Sequence, residues 1–501
     1  MRRVHKRLSR VAALIAASVV VTGCSDGTIG ERASGERSAS AVPAADPSSN
    51  EVAPLFQTID PRRSLAVTEQ PILARFSFKR VMDQLASQSN VSGLTSLKLF
   101  RQWWDVFNPK PGLAAGPHCD DTIDPTLGPV LNGFPYTCRA APSEGGQATC
   151  DPFAAGSPCA YIPIGLFNRF DLMPENGSFC GEYRIVYAKE SGIANTDDRN
   201  LVIFEAAVPN PLPLLGLEGC RSIVEFWSSL TNIDDIEVRA AKLEQFYFQG
   251  ILIAVPPIPA VVKIDHFGAG SSGRGQIRTN QFVNPNPRIW SLREFKLQKS
   301  CGLLSCSSLK AVPVTAKDNP YGPLLGATSH PKTAAFQAHL PGQVQALSGA
   351  TIPDIDFDVP DTYNSGQSEA NGTTEGNFLA NLTGEPSALR TALTNQLATI
   401  GSSLTPDQIV SRAQALSCAG CHRISNNVDL GGGIVWPPSQ GFTHVSERLT
   451  EVADGITRYQ LSEALNGTFL PHRKEVFERY LNKSLILRLL PLRPIGGFCV
   501  H

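Results

Sequence analysis

The chain predicts an α+β fold: a large antiparallel sheet with helices, followed by a small, mainly helical C-terminal region. Three observations point there. Polar and apolar side chains alternate over 183–187, 276–280 and 290–297, and 201–204 is a β-rich run, which is the period-two pattern of strands. Between and around these runs, apolar residues recur at helical spacing, as in Ile72, Leu73, Phe76, Val81 and Leu85. At 501 residues the chain is too long for one core and implies about two or three domains.

The N-terminus opens with a basic segment ending at Arg10 and an apolar run from Val11 to Val21. That run is too short to cross a bilayer, which takes about 20 residues. It ends in Val21-Thr22-Gly23-Cys24, which resembles the lipobox of bacterial lipoproteins. The resemblance implies that 1–23 is a signal peptide and that Cys24 becomes an acylated (palmitate-type) N-terminus. It would be held at a membrane without spanning it. Ser25 then favours the outer membrane of the cell envelope. An ordinary secretory signal is the alternative, and either exports the chain. Residues 24–55 are rich in Ser, Ala, Gly and Pro and read as a flexible tether.

Residues 56–345 read as the sheet domain, of unidentified role. A helix is expected from Thr68 through Leu85 and another after Gly93, with Trp103 and Trp104 in the core. Cys119, Cys138, Cys150 and Cys159 lie in a Gly/Pro-rich stretch as disulfide staples, with three pairings open. Cys180 with Cys220 and Cys301 with Cys306 are further expected pairs. Strands are expected at 251–255 and 261–264, and a helix from Ile233 to Phe248. Arg169, Asp171, Arg278 and Glu294 are unusually polar for strand positions. They either surround a pocket for a polar or anionic ligand or form an internal salt-bridge network. No nucleotide-binding, metalloprotease or serine-hydrolase motif is present in the sequence. Residues 346–386 read as a linker or insert.

The segment 387–501 carries the most specific signal, Cys418-Ala419-Gly420-Cys421-His422. The pattern C-x-x-C-H attaches c-type haem. Its two thiols can form thioethers to the porphyrin vinyl groups, and the histidine lies where it can ligate iron. A short-loop disulfide or half of a zinc site are the alternatives. Export of the chain supports haem, because c-type haem is attached outside the bacterial cytoplasm. Thr405-Pro406-Asp407-Gln408 has the form of a capping box leading a helix into the motif. From Leu404 to about 490 the chain resembles small single-haem cytochromes c, with 471–481 as the closing helix. The resemblance implies one covalent haem c on Cys418 and Cys421, with His422 as proximal ligand. Such proteins usually supply a methionine as second axial ligand. Here the only methionines are Met1, Met82 and Met173, so none follows the motif. His444 and His472 are the leading replacements, with His501 behind them and an open site as the remaining choice. Trp436 is expected to form apolar wall beside the porphyrin.

Formal net charge is −1, with no basic block beyond the N-terminus, so a nucleic-acid partner is not expected. The whole reads as an envelope-anchored c-type cytochrome lipoprotein passing single electrons to an unidentified redox partner. A haem enzyme of peroxidase type is the first rival. A non-redox surface-binding lipoprotein, with Cys418 and Cys421 as a plain disulfide, is the second.

Overall fold

In the computed structural model, residues 57–483 are described apart from 113–115, 140–143, 271–272, 284–288, 304, 371–374 and 383–386. The signal segment, Cys24, the tether, Cys499 and His501 lie outside the described residues. The expected runs become parts of strands β3 (Phe179–Lys189), β4 (Asn200–Pro209), β5 (Gln276–Val283) and β6 (Ile289–Cys301), and the structure adds β1 (Ala66–Val67), β2 (Tyr161–Arg169), β7 (Cys306–Val314) and β8 (Gln367–Ala370). They form one eight-stranded sheet in the order β1 to β7, with β8 paired to β6. Every pairing is antiparallel. The α+β expectation therefore holds for the sheet and its helices.

The two faces of this sheet differ in kind. One packs on helices α1 (Phe78–Gln88), α2 (Ser96–Asp105), α3 (Arg221–Ser229) and α4 (Ile236–Phe248). Phe78 meets Tyr187 and Phe204, Trp103 meets Phe204, and Tyr183 stacks on Trp227. Each buried aromatic of this kind contributes roughly 1.5–3 kcal/mol from area alone, so this layer is where the sheet is anchored. The opposite face carries charge. Phe167, Arg184 and Glu205 lie side by side across β2, β3 and β4, as do Ile203, Arg278 and Glu294 across β4, β5 and β6. The polar members of the alternation therefore face the interior of the protein, and Arg278 is only 1 % exposed.

That charged face is covered by the C-terminal segments. These include the hairpin β9 (Val445–Ala453) with β10 (Ile456–Leu461) and α7 (Leu470–Asn482), which follow α5 (Ala388–Thr399) and α6 (Pro406–Leu416) in the chain. The described residues belong to one compact unit that begins at Phe56. Within the stretch read as a linker, 346–386, lies β8, whose Gln367 and Ala370 pair with Arg293 and Trp290 of β6.

Other differences from expectation have local causes. The helix expected from Thr68 to Leu85 is interrupted: Gln70–Leu73 is one short turn, and α1 starts afresh at Phe78. Ser77 caps α1 by accepting the Arg80 N–H, and the Tyr187 hydroxyl donates to the Phe76 carbonyl, which fixes the break. The stretch 251–255 forms no strand beyond an isolated bridge from Ile251 to Ile258. Pro256, Pro257 and Pro259 remove the donors a ladder needs. Val261 and Val262 are buried, but their N–H groups go to Phe246 and Tyr247 at the end of α4 instead of to a strand. Among the described residues four disulfides are present: Cys119–Cys138, Cys150–Cys159, Cys180–Cys220 and Cys301–Cys306. Cys418 and Cys421 are free and buried.

Candidate functional site

Helix α6 delivers the Cys-His motif to the sheet. Thr405 and Gln408 form the expected capping box, with Pro406 in the first turn. The helix does not run into the motif, however. It ends at Leu416, because Ser417 is extended (φ −77, ψ 160). The Ser417 hydroxyl donates to the Gln414 carbonyl at 2.8 Å and accepts the Gly420 N–H at 3.1 Å. A separate π-type turn, Gly420–Ile424, then carries Cys421 and His422. Only glycine fits at 420: a Cβ there would fall 1.7 Å from the Gln414 carbonyl oxygen. The Ala419 N–H donates to Ser368 Oγ at 3.0 Å, tying the motif to β8. Cys418 and Ala419 pack with Trp290, Leu292 and Ala370 of the sheet.

The two thiols are fully enclosed. Burial pushes the Cys418 thiol up to about 12, and burial raises Cys421 further, so both are neutral S–H groups. His422 is buried, stacked on Trp290 with centroids 5.0 Å apart and planes 23° apart. Its Nδ1 lies 2.8 Å from the Phe442 carbonyl oxygen. A carbonyl only accepts, so Nδ1 carries the proton and Nε2 presents a lone pair, the tautomer of a metal-ligating histidine. Burial lowers the His422 pKa to about 4, with the nearby Arg278 and Arg184 acting in the same direction. The ring is thus neutral at physiological pH.

His444 stands beside it, with ring centroids 4.8 Å apart. Its Nδ1 is 2.9 Å from Ser462 Oγ, and its Nε2 is 3.2 Å from Cys421 Sγ. Burial first, then the neighbouring His422 and Arg473, hold its pKa well below the usual histidine value. The segment is pinned by Arg199, which pairs with Glu447 and donates to the Gly441 carbonyl at 2.6 Å.

His422 and His444 line a cavity of about 70 Å³ whose floor is the charged face of the sheet. Arg169, Arg184, Glu205 and Arg278 project into it from β2 to β5, and Arg473 closes it from α7. The salt-bridge reading of the polar strand residues holds, and of the four only Arg169 and Arg278 line this cavity. Arg169 and Asp171 form a buried pair at 2.8 Å, Arg278 holds Glu294 at 2.9 Å and Glu205 at 3.2 Å, and the arginines of both networks also wall the cavity. His472 is not in this wall; it sits with Asp171 at a smaller cavity behind Arg473. Trp436 is buried against Phe469, one layer removed from the space that Phe469 lines.

Two free thiols and a neutral imidazole are the donor types that a c-type haem requires. His422 and His444 line the cavity, whereas Cys418 and Cys421 are not in its wall. Buried polar atoms in the cavity wall, Asn280 Oδ1 and Nδ2 and Arg184 Nε, have no hydrogen-bond partner among the described residues. Among the described residues no three His, Cys, Asp or Glu side chains converge as a metal-ligand set. A tetrahedral zinc needs such a set, whereas iron carried in a macrocycle does not. No protein-family model, no curated protein and no solved structure matches this chain.

Trp290 and Phe442 are the site residues that the sequence reading missed. Trp290 sits in a strand-like run where an aromatic is ordinary, and the role of Phe442 is played by its backbone carbonyl, which no side-chain pattern records.

Proposed function

We propose that this chain is a c-type haem protein of the cell envelope that transfers single electrons. In this reading Cys418 and Cys421 hold one haem covalently, His422 is the proximal iron ligand and Cys24 carries a lipid anchor. A cytochrome c-like role for the C-terminal segment belongs to the same reading, as does a redox partner protein that docks near the cavity. The observation that carries it is the 2.8 Å contact from His422 Nδ1 to the Phe442 carbonyl. It fixes the imidazole with Nε2 free, beside two unpaired buried cysteines. When bound, the haem supplies reversible one-electron chemistry at iron.

The protein's own residues set the conditions. Trp290 restricts rotation of the His422 ring, and the Phe442 carbonyl increases the basicity of Nε2. His444 is the best-placed second ligand. Its ring centroid lies 4.8 Å from that of His422, and Gly441 (φ 61) and Phe442 (φ 74), both in the left-handed region, precede it. Histidine in place of methionine as second ligand lowers the reduction potential.

Carbon monoxide binding tests this. The dithionite-reduced wild type is expected to keep a low-spin spectrum and to resist carbon monoxide, whereas reduced His444→Ala is expected to be high-spin before carbon monoxide is added and then to bind it as a low-spin adduct. His472→Ala is expected to behave as wild type. Ready carbon monoxide binding by the wild type overturns the electron-transfer reading in favour of a haem enzyme.

A further inference from the structure

We propose that one corner of the fold is a docking surface for an anionic phospholipid membrane. The apolar loop 251–258 and the turn at Leu303 enter the headgroup region, and a groove carrying Lys98, Arg101 and Lys310 takes the lipid phosphates. The inference does not depend on haem.

The apolar part is a protrusion. Leu252, Ile253 and Val255 are 76 %, 90 % and 94 % exposed, and Leu303 is fully exposed. Large side chains left in water side by side on a loop mark a contact surface. The loop is closed on itself. Ile251 and Ile258 exchange backbone hydrogen bonds at 2.8 and 3.0 Å, and the Ala254 N–H donates to the Ile251 carbonyl at 3.3 Å. Pro256 and Pro257 have no N–H to offer. Few backbone donors are therefore left to desolvate when the loop enters an apolar medium.

The charged part is an independent feature. A groove of about 510 Å³ lies between α2 and β7, the last strand of the sheet. Lys98, Arg101 and Lys310 line it with Ser92, Ser307 and Ser308, and among the described residues no Asp or Glu does. Lys310 is exposed, and Lys98 Nζ donates only to the Gly93 carbonyl, at 2.8 Å. Arg101 Nε is buried without a hydrogen-bond partner among the described residues. Three cations and three hydroxyls with no carboxylate between them select a phosphate.

The two parts meet at the end of α1. Gln84 Nε2 donates to the carbonyls of Phe248 and Val262 at 3.1 and 2.7 Å, holding both ends of the segment that carries the loop. Gln88, one turn on, donates to Val262 at 3.0 Å, and its own carbonyl accepts from Lys299 Nζ at 3.2 Å. Val91 then bridges to Cys306, at the base of the turn that carries Leu303 and next to the groove serines. Lysine is depleted from protein interfaces, whereas apolar side chains flanked by Lys and Arg match the surface of an anionic bilayer.

Hydrogen–deuterium exchange on the full chain tests this, in phosphatidylcholine vesicles with and without phosphatidylglycerol. Amides in 251–258 and 306–310 are expected to exchange more slowly when phosphatidylglycerol is present, and high salt is expected to remove the difference. Lys98→Gln/Arg101→Gln/Lys310→Gln is expected to lose the response to phosphatidylglycerol. Leu252→Ser/Ile253→Ser/Leu303→Ser is expected to lose the slowing at 251–258. Unchanged exchange in the buried strand β3 shows that both variants are folded. Equal exchange of wild type in the two kinds of vesicle overturns the proposal, as do folded variants that respond like wild type. Slowing that dissolved glycerol phosphate reproduces in detergent micelles overturns it in favour of a soluble phosphate site. Slowing that needs added envelope proteins overturns it in favour of a protein partner.

Discussion

Replacing Cys418 and Cys421 together by alanine is expected to leave a polypeptide that shows no haem stain on a denaturing gel, while wild type stains strongly. The two sulfurs are free, buried and held on either side of the turn that Ser417 and Gly420 create. Covalent capture depends on both being thiols: a cystine cannot add to a vinyl group. Each single alanine variant retains one anchoring sulfur and is expected to stain weakly, with an absorption band shifted by the remaining vinyl. The fold is expected to survive, since alanine removes only one sulfur atom from each site and small buried deletions cost about 1 kcal/mol. Loss of stain with retained circular dichroism therefore separates loss of attachment from unfolding. A wild-type protein that never stains, with two fewer titratable thiols after unfolding without reductant, supports the plain-disulfide alternative.

The second large effect is expected at Arg278. Its guanidinium is 1 % exposed and bridges Glu205 on β4 to Glu294 on β6. Burial disfavours its charge, but Glu205 and Glu294 more than compensate, and its pKa lies above the usual arginine value. Arg278→Leu removes the counterion from between two buried carboxylates. Breaking a buried pair on one side typically costs about 3–5 kcal/mol, so a large drop in the urea midpoint is expected at neutral pH. The pH dependence has a definite sign. Burial raises the Glu294 pKa already in the wild type, against the pull of Arg278 and with a push from Glu205. A carboxyl raised in the folded state stabilises it below the unfolded pKa and loses that contribution as pH rises through the folded one. Without Arg278 the rise is larger, so the variant is expected to approach wild-type stability as pH falls toward the unfolded carboxyl range near about 4.3. Urea titrations at neutral and acid pH check this, and adding Glu294→Gln is expected to recover part of the loss at neutral pH. An Arg278→Leu protein as stable as wild type at neutral pH contradicts the account of this network.

Half of the eight strands were legible, from the alternation at 183–187, 276–280 and 290–297 and the β-rich run 201–204, and the motif because five consecutive residues carry it. The turn of α6 was legible through Thr405 and Gln408, whose reciprocal capping is local in sequence. What escaped is non-local. The alternation of Arg184, Glu205, Arg278 and Glu294 marks a face, but sequence does not say whether that face meets water or protein. Here the C-terminal segments cover it, and the residues become a buried charge layer and a cavity wall at once. The four residues Gln367–Ala370 are too short and polar to announce a strand, yet they receive Ala419 through Ser368 and so dock the motif. Sequence offered both His444 and His472, with His444 first because it follows a Gly/Pro-rich loop. The hairpin β9–β10 separates them by placing Ser462 against His444, whereas α7 directs His472 toward Asp171.

The most direct measurement is the absorption spectrum of the wild-type chain after denaturation and acid–acetone extraction, following maturation in a host that attaches c-type haem. The account predicts that the Soret band stays with the polypeptide, at one haem per chain by pyridine haemochrome. A Soret band that leaves with the solvent, or a protein that is colourless from the start, contradicts it.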